Sequence, residues 1–177
     1  LQQENIRVWE SPKPVSHASS ENDWRRHCSE LLRETFLASL HPDIVLVSSL
    51  FEGLGDDAVT SIGRLSENIP TAVILYDLIP LIQRQPYLDN PVVETWYENK
   101  LHHLRQANLL LAISESSRQE GIQYLPFPSN QAINISTAAD PQFSPQHVSK
   151  HKENEIRRRY GLQHPFVMYT GGIDHRK

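Results

Sequence analysis

The stretch Thr71-Ala72-Val73-Ile74-Leu75-Tyr76 decides the fold, because it is an uncharged run of mostly apolar, partly β-branched residues. A continuous run of this kind predicts a strand that is buried on both faces of a sheet. Similar runs stand before it at residues 44–47 and after it at residues 109–112. Since parallel sheets bury their strands in this way, we predict a parallel sheet built around residues 71–76.

Helical patterns separate these apolar runs. Apolar residues recur at helical spacing over residues 22–40 and predict a helix with one buried stripe, formed by Trp24, Cys28, Leu31, Leu32 and Phe36. On that stripe we expect Cys28 to be an inert packing residue. Further helices are predicted at 57–65, 91–105, 114–124 and 150–160, and shorter strands at 6–9, 132–135 and 166–169. This alternation predicts an α/β fold, a Rossmann-like parallel sheet with helices on both faces.

The overall composition agrees with a soluble α/β domain. The chain has 177 residues, of which 38% are hydrophobic, and a net charge of −4. The acidic balance argues against nucleic acid as the main partner, since phosphate binding needs a basic face. No apolar run approaches the ~20 residues of a membrane span. The single cysteine excludes an internal disulfide and favours the cytoplasm.

The loop after residues 44–47 is the first candidate for ligand binding, because parallel sheets bind ligands beyond the carboxyl ends of their strands. It contains Glu52, Gly53, Asp56 and Asp57. A loop rich in carboxylates suits the hydroxyl groups of a sugar or a basic acceptor. An equal alternative is that the two aspartates cap the predicted helix at 57–65.

The same loop also supports a different class of function. Gly53-Leu54-Gly55-Asp56-Asp57-Ala58 fits the dinucleotide fingerprint, and Asp77 follows at about the 20 residues expected for a ribose-binding acid. Against this interpretation, the loop is long for the tight turn of the fingerprint, and two carboxylates would repel a pyrophosphate. An NAD-dependent oxidoreductase therefore stays open as an alternative, as does a non-catalytic α/β binding module.

Four segments follow the predicted elements in order. They are YDLIPL at 76–81, ANLLLAISESSR at 107–118, ADPQFSP at 139–145 and YTGGIDHRK at 169–177. Read together, they resemble the group 1 glycosyltransferases, which are the family-four retaining enzymes of GT-B architecture. The resemblance implies an N-terminal, acceptor-side Rossmann-like domain at residues 1–160 that lacks its first strand. Residues 161–177 would then be the linker and first strand of a C-terminal donor-binding domain.

The resemblance also implies an activity. The full-length enzyme would move a hexose, with mannose as one candidate, from a nucleotide-sugar to a glycan or lipid-linked acceptor, with retention and in polysaccharide biosynthesis. Neither a cofactor nor an obligatory metal is implied, and the chain by itself would be inactive. The location would be the cytoplasm, and peripheral contact of the full-length enzyme with the inner face of the plasma membrane stays open.

The catalytic residues that the resemblance implies are Tyr76 and Asp77, at a position where the family commonly has His-Asp. A tyrosine can donate a hydrogen bond there, but it cannot act as a base near neutral pH. Ser114 and Arg118 match the serine-rich helix start that faces the cleft in the family. With Glu52, Gly53 and Asp56, they are the predicted acceptor-binding residues.

The last segment is predicted to bind the donor diphosphate. Two glycines after a strand leave backbone amides open, and two cations follow them. Such groups stabilise the negative charge that develops on a departing diphosphate. The residues concerned are Gly171, Gly172, Arg176 and Lys177.

Overall fold

Four short parallel strands form one sheet in a computed structural model that describes residues 2–65, 69–145 and 147–169. The strands pair in chain order, each with the next. They are β1 (Val45–Val47), β2 (Thr71–Leu75), β3 (Leu109–Ala112) and β4 (Ala132–Asn134). The predicted α/β class, a Rossmann-like parallel sheet with helices, is confirmed.

The described chain divides into two units, the first ending at Thr137 and the second beginning at Ala138. The first unit contains the sheet and five helices: α1 (Asp23–Ser39), α2 (Ile79–Ile82), α3 (Arg84–Tyr87), α4 (Pro91–Leu104) and α5 (Glu115–Tyr124). Three 3₁₀ turns also belong to it, at Gln3–Asn5, Ser20–Asn22 and Ser129–Gln131. The second unit contains α6 (Lys150–Tyr160).

The helix ends form where the sequence predicts them. The Asn90 side chain accepts a hydrogen bond from the Val92 amide in front of α4, and Pro91 takes the first helical position. Ser114 caps α5 by accepting from the Ser117 amide. Gly161 ends α6 in the left-handed conformation, with φ 65°.

The core lies on one face of the sheet. Val47, Val73 and Leu110 stand in register across β1, β2 and β3, and all three are buried. Helices α4 and α5 contribute to the same cluster, because Leu101 of α4 is buried in it and a Cβ added at Gly121 of α5 would lie 2.4 Å from Leu110 Cδ2. Right-handed crossovers between consecutive parallel strands place their helices on one face.

The opposite face of the sheet is apolar and partly open within the described chain. Leu46 of β1 and Ile133 of β4 are 55% and 47% exposed. Both belong to the alternate set of side chains, since successive residues of a strand point to opposite faces.

The predicted buried stripe of α1 is wrong. Trp24 is 64% exposed, and Cys28 is exposed rather than packed. The helix instead buries a polar set: Arg26, Ser29, Glu30 and Glu34. Buried carboxylates need hydrogen-bond partners, and the loop at residues 61–65 supplies them for Glu34, through Ser61 Oγ and the backbone amides of Arg64 and Leu65.

That loop also explains why the predicted helix at 57–65 is wrong. The segment forms no regular element over its described length. Its polar groups bond to other parts of the chain instead, as when Thr60 Oγ1 donates to the Leu50 carbonyl and the Asp57 carboxylate accepts from the Val15 amide. Gly63 has φ 76°, which a right-handed helix does not allow.

The predicted strands at 6–9 and 166–169 are also wrong. Neither segment has strand structure. Val8 is 74% exposed and Val167 is fully exposed. The β-branched residues of these segments favour a strand only where a neighbouring strand packs against them, and neither segment is paired with one.

Candidate functional site

A cavity of about 240 Å³ lies beyond the carboxyl ends of β1 and β2. The loop after β1, the segment after β2 and helix α4 all contribute to its wall. The lining residues are Ser49, Leu50, Phe51, Ile74, Tyr76, Asp77, Pro80, Trp96 and Tyr97. We call it the strand-end cavity. Parallel α/β sheets bind their ligands in this position.

Three aromatic rings form one wall of the strand-end cavity. The ring centroids of Phe51 and Trp96 are 6.2 Å apart in an edge-to-face arrangement, and those of Phe51 and Tyr97 are 5.1 Å apart. The Trp96 indole N–H donates to the Glu52 carbonyl at 3.1 Å, which fixes the ring against the loop after β1. An aromatic wall offers a large, rigid apolar surface to a ligand.

Tyr76 and Asp77 bring polar groups to the same cavity. The Tyr76 side chain is 55% exposed. The Asp77 carboxylate accepts the Ile79 amide at 3.1 Å and thereby fixes the turn that leads into α2. Burial, and then the negative charge of Asp77, raise the pKa of the Tyr97 phenol. The structure thus places both predicted catalytic residues beside the aromatic wall.

Helix α5 holds the backbone of this segment in place. The Ser117 hydroxyl donates to the Tyr76 carbonyl at 2.6 Å, and the Glu120 carboxylate accepts from the Leu78 amide at 3.0 Å. The turn after β2 is therefore anchored by α5, while the side chains of Tyr76, Asp77 and Pro80 line the cavity.

The predicted acceptor residues are dispersed rather than gathered. Glu52 accepts a hydrogen bond from Ser49, a residue of the cavity wall, at 2.5 Å. Ser114 caps α5, and Arg118 forms an ion pair with Glu115 in which Nη2 and Oε1 are 2.8 Å apart. The hydrogen bonds that Arg118 donates are the main reason why the pKa of Glu115 falls to about 2. Neither Ser114 nor Arg118 lines the strand-end cavity.

Gly53 and Asp56 shape the loop after β1. Gly53 has φ 86°, and a Cβ on it would lie 2.3 Å from the Ala58 carbonyl oxygen. The Asp56 carboxylate accepts from the Ala58 amide at 2.7 Å. Because residues 57–65, all of which the structure describes, form no helix, the glycine pattern lacks a helix N-terminus directly after it, which is what holds a pyrophosphate in dinucleotide-binding folds.

Seven lining residues were not predicted as site residues, and Phe51, Trp96 and Ser49 are the ones among them that matter for a ligand. Phe51 and Ser49 fall in the strand-end loop, so their position was a usable signal. Trp96 shares the helical spacing of core residues in α4, and spacing alone does not separate a cavity wall from a core. The predicted donor residues Gly171, Gly172, Arg176 and Lys177 lie outside the described residues.

Neither a cluster of metal ligands nor a membrane-spanning helix occurs in the part of the chain that the structure describes. No group of three or more His, Cys, Asp and Glu side chains stands close enough there to hold a metal ion. Among the helices of the described chain, none has the length and apolar character to cross a membrane.

Fold and cavity together define an α/β, Rossmann-like protein with an aromatic and acidic cavity at its strand ends. No protein-family model matches the chain. Three curated proteins called serotype-specific mannosyltransferase WbdA, all from Escherichia coli, are similar to it over its whole length, with 32% identity across 179 aligned residues. The chain spans only 21–22% of the length of these relatives. The similarity is therefore to one part of a longer mannosyltransferase.

Proposed function

We propose that the chain is the acceptor-binding part of a retaining hexosyltransferase of GT-B architecture that acts in polysaccharide biosynthesis. The reaction would transfer mannose from a nucleotide-sugar to a glycan or lipid-linked acceptor. Similarity to the three mannosyltransferases supports the class of reaction and the choice of mannose. We place the reaction in the cytoplasm, because the single cysteine is free.

The observation that carries the proposal is the composition of the strand-end cavity. A hexose has apolar C–H faces and a rim of hydroxyl groups. The rings of Phe51 and Trp96 match the first feature, and the side chains of Asp77, Tyr76 and Ser49 match the second. Hydrogen bonds from sugar hydroxyls to a carboxylate are charge-assisted and therefore among the stronger ones.

The proposed division of roles follows from these positions. Trp96 and Phe51 would bind the acceptor hexose and exclude water from one side of it. Asp77 would accept a hydrogen bond from an acceptor hydroxyl and orient it, and Tyr76 would donate one. We assign the donor diphosphate to Gly171, Gly172, Arg176 and Lys177, and we assign no step to a metal or cofactor.

Acceptor kinetics of the full-length protein test the proposal. With GDP-mannose as donor and a mannose oligosaccharide as acceptor, Trp96→Ala should raise the acceptor KM about tenfold, equivalent to ~1.4 kcal/mol of lost binding. Trp96→Phe should restore most of this loss. Trp24→Ala is the matched control, because Trp24 is exposed and stacks on Arg25 rather than on the cavity wall.

One outcome of these acceptor kinetics would contradict the proposal. Equal acceptor KM values for Trp96→Ala and Trp24→Ala, at unchanged melting temperature, would show that the strand-end cavity does not bind the acceptor. Asp77→Asn adds a second readout, since loss of the carboxylate should lower kcat by tenfold or more while the melting temperature changes little.

A further inference from the structure

A second cavity, of about 520 Å³, lies between the segment before α1, the later part of α1 and the end of the loop after β1. Trp9, Arg33 and Asp57 belong to these three parts of its wall. We call it the Trp9 cavity. It has no lining residue in common with the strand-end cavity. Its volume falls within the range of small-molecule sites, which is about 300–1,000 Å³.

Hydrogen bonds between distant parts of the chain hold the wall of the Trp9 cavity in place. The Asp57 carboxylate accepts from the Val15 amide at 2.7 Å, and the Ser11 hydroxyl donates to the Asp57 carbonyl at 2.9 Å. The Arg33 guanidinium donates from Nη1 to the Ser61 carbonyl at 3.0 Å. A wall that is fixed before a ligand arrives loses little conformational entropy when the ligand binds.

The charged side chains of the Trp9 cavity are of both signs. Three are basic and three are acidic, namely Arg7, Lys13, Arg33, Glu10, Asp56 and Asp57. Within the described part of the chain, none of the six takes part in an ion pair. Their formal charges cancel, so the cavity selects neither an anion nor a cation. Because the opposite charges are not joined to each other, hydrogen-bond donors and acceptors are both available to one ligand.

Two aromatic side chains add apolar surface to the same wall. Trp9 and Phe36 both line the cavity, and both are half-buried, so part of each residue stays accessible. Leu37 and Val59 line it as well. An aromatic ring offers a ligand a rigid apolar face, which suits the C–H face of a sugar ring.

Asp56 connects this cavity with the sequence analysis. It is one of the predicted acceptor-binding residues, and it lines the Trp9 cavity rather than the strand-end cavity. Its Oδ1 accepts from the Ala58 amide, whereas its Oδ2 has no hydrogen-bond partner among the described residues. A free carboxylate oxygen accepts charge-assisted hydrogen bonds from sugar hydroxyl groups.

We propose that the Trp9 cavity is a second saccharide-binding site, which holds a sugar of the glycan acceptor against Trp9 and hydrogen-bonds its hydroxyl groups to Asp56 and Arg33. A sugar is uncharged, its hydroxyl groups both donate and accept, and its C–H faces are apolar. It therefore matches a wall with no net charge, unpaired charges of both signs and two rings. The assignment to the acceptor rests on the proposed function, whereas the binding of a free saccharide does not.

Titration of the full chain with a mannose tetrasaccharide, followed by calorimetry, tests the site. The titrations use the Trp96→Ala background, because the strand-end cavity is the other proposed sugar site. In that background, Trp9→Ala should weaken binding about tenfold through loss of the ring contact. Trp24→Ala is the matched control, since Trp24 is 64% exposed and lines neither cavity. It should leave the affinity within about twofold of the background.

A second pair of variants fills the cavity instead of removing the ring. Ala58→Phe would place a bulky side chain at the cavity wall and should weaken binding about tenfold. Ala18→Phe is its control, because both alanines are exposed and Ala18 does not line the cavity. The control should leave the affinity unchanged. If Trp9→Ala fails to fold, the alanine pair decides.

The results separate this inference from the proposed function. If Trp96→Ala leaves the acceptor KM unchanged while Trp9→Ala still weakens saccharide binding, the Trp9 cavity is a saccharide site and the strand-end cavity is not the acceptor site. If Trp96→Ala raises the acceptor KM but the variants at residues 9 and 58 bind saccharide as their controls do, the inference is overturned and the proposed function stands. The inference is also overturned if the tetrasaccharide does not saturate the protein, or if GDP binds in a Trp9-dependent manner and the saccharide does not.

Discussion

Replacing Glu34 tests whether the polar face of α1 holds the loop that precedes β2. The Glu34 carboxylate accepts three hydrogen bonds, each 2.7 Å long, from Ser61 Oγ and from the amides of Arg64 and Leu65. Hydrogen bonds to a charged group contribute about 1.5–3 kcal/mol each, and not all of this is lost where water can reach the donors. We expect Glu34→Ala to lower the free energy of unfolding by about 3–5 kcal/mol.

Urea unfolding followed by circular dichroism measures this change. Glu34→Gln should cost less, about 1–2 kcal/mol, because one amide oxygen can still accept from the two backbone donors. Glu21→Ala, at an exposed glutamate just before α1, is the control and should stay within about 0.5 kcal/mol of the wild type. If Glu34→Ala costs no more than Glu21→Ala, this carboxylate does not hold the loop, and our explanation of why α1 buries polar side chains is wrong.

Two further predictions concern the loop after β1 and the response to acid. Gly53→Ala should lower the melting temperature by several degrees, because φ at Gly53 is 86° and the new Cβ would lie 2.3 Å from a carbonyl oxygen. Gly55→Ala is the control and should not lower it, since a Cβ at Gly55 would have nothing within 4 Å. Equal effects of the two substitutions on the melting temperature would contradict this prediction. Burial and the positive charges of Arg26 and Lys100 lower the pKa of His17 from 6.5 to about 4 in the folded chain. The unfolded chain therefore binds this proton at a higher pH than the folded chain does, so the free energy of unfolding should decrease as the pH falls from 6.5 towards 4. His17→Asn should remove about 1–2 kcal/mol of that decrease, allowing for solvent around a half-buried ring, and an unchanged pH profile in urea unfolding would refute the assignment.

The parts of the fold that depend on local chemistry could be predicted from the sequence. The strand around Val73 follows from an uninterrupted apolar run, and the starts of α4 and α5 follow from Asn90 and Ser114, whose side chains cap them. These signals act over a few residues.

The orientation of α1 could not be predicted in this way. Helical spacing identified the helix but pointed Trp24 and Leu32 inward, whereas Glu30 and Glu34 are buried. The deciding interaction is a loop about 30 residues further along the chain, whose backbone amides need acceptors. A hydrophobic pattern contains no information about these backbone amides, because they lack acceptors only once the tertiary structure has formed.

The location of the candidate site could be predicted from the sequence, but only some of its lining residues could. The rule that ligands bind at strand ends located the segments of Tyr76, Asp77 and Glu52. Trp96 comes from a helix about 20 residues after β2, and its contribution depends on how α4 packs. Ser114 and Arg118 were expected to face a ligand, but the described contacts of both lie within or beside α5.

We propose that this chain binds the acceptor in a transfer reaction that retains configuration. The most direct measurement is the anomeric configuration of the product, read by NMR after incubation of the full-length protein with GDP-mannose and a mannose oligosaccharide. We predict an α-linked mannose, the configuration of the donor, formed about tenfold more slowly by Trp96→Ala at limiting acceptor. A β-linked product, or no transfer while NAD binds the protein, would contradict the account.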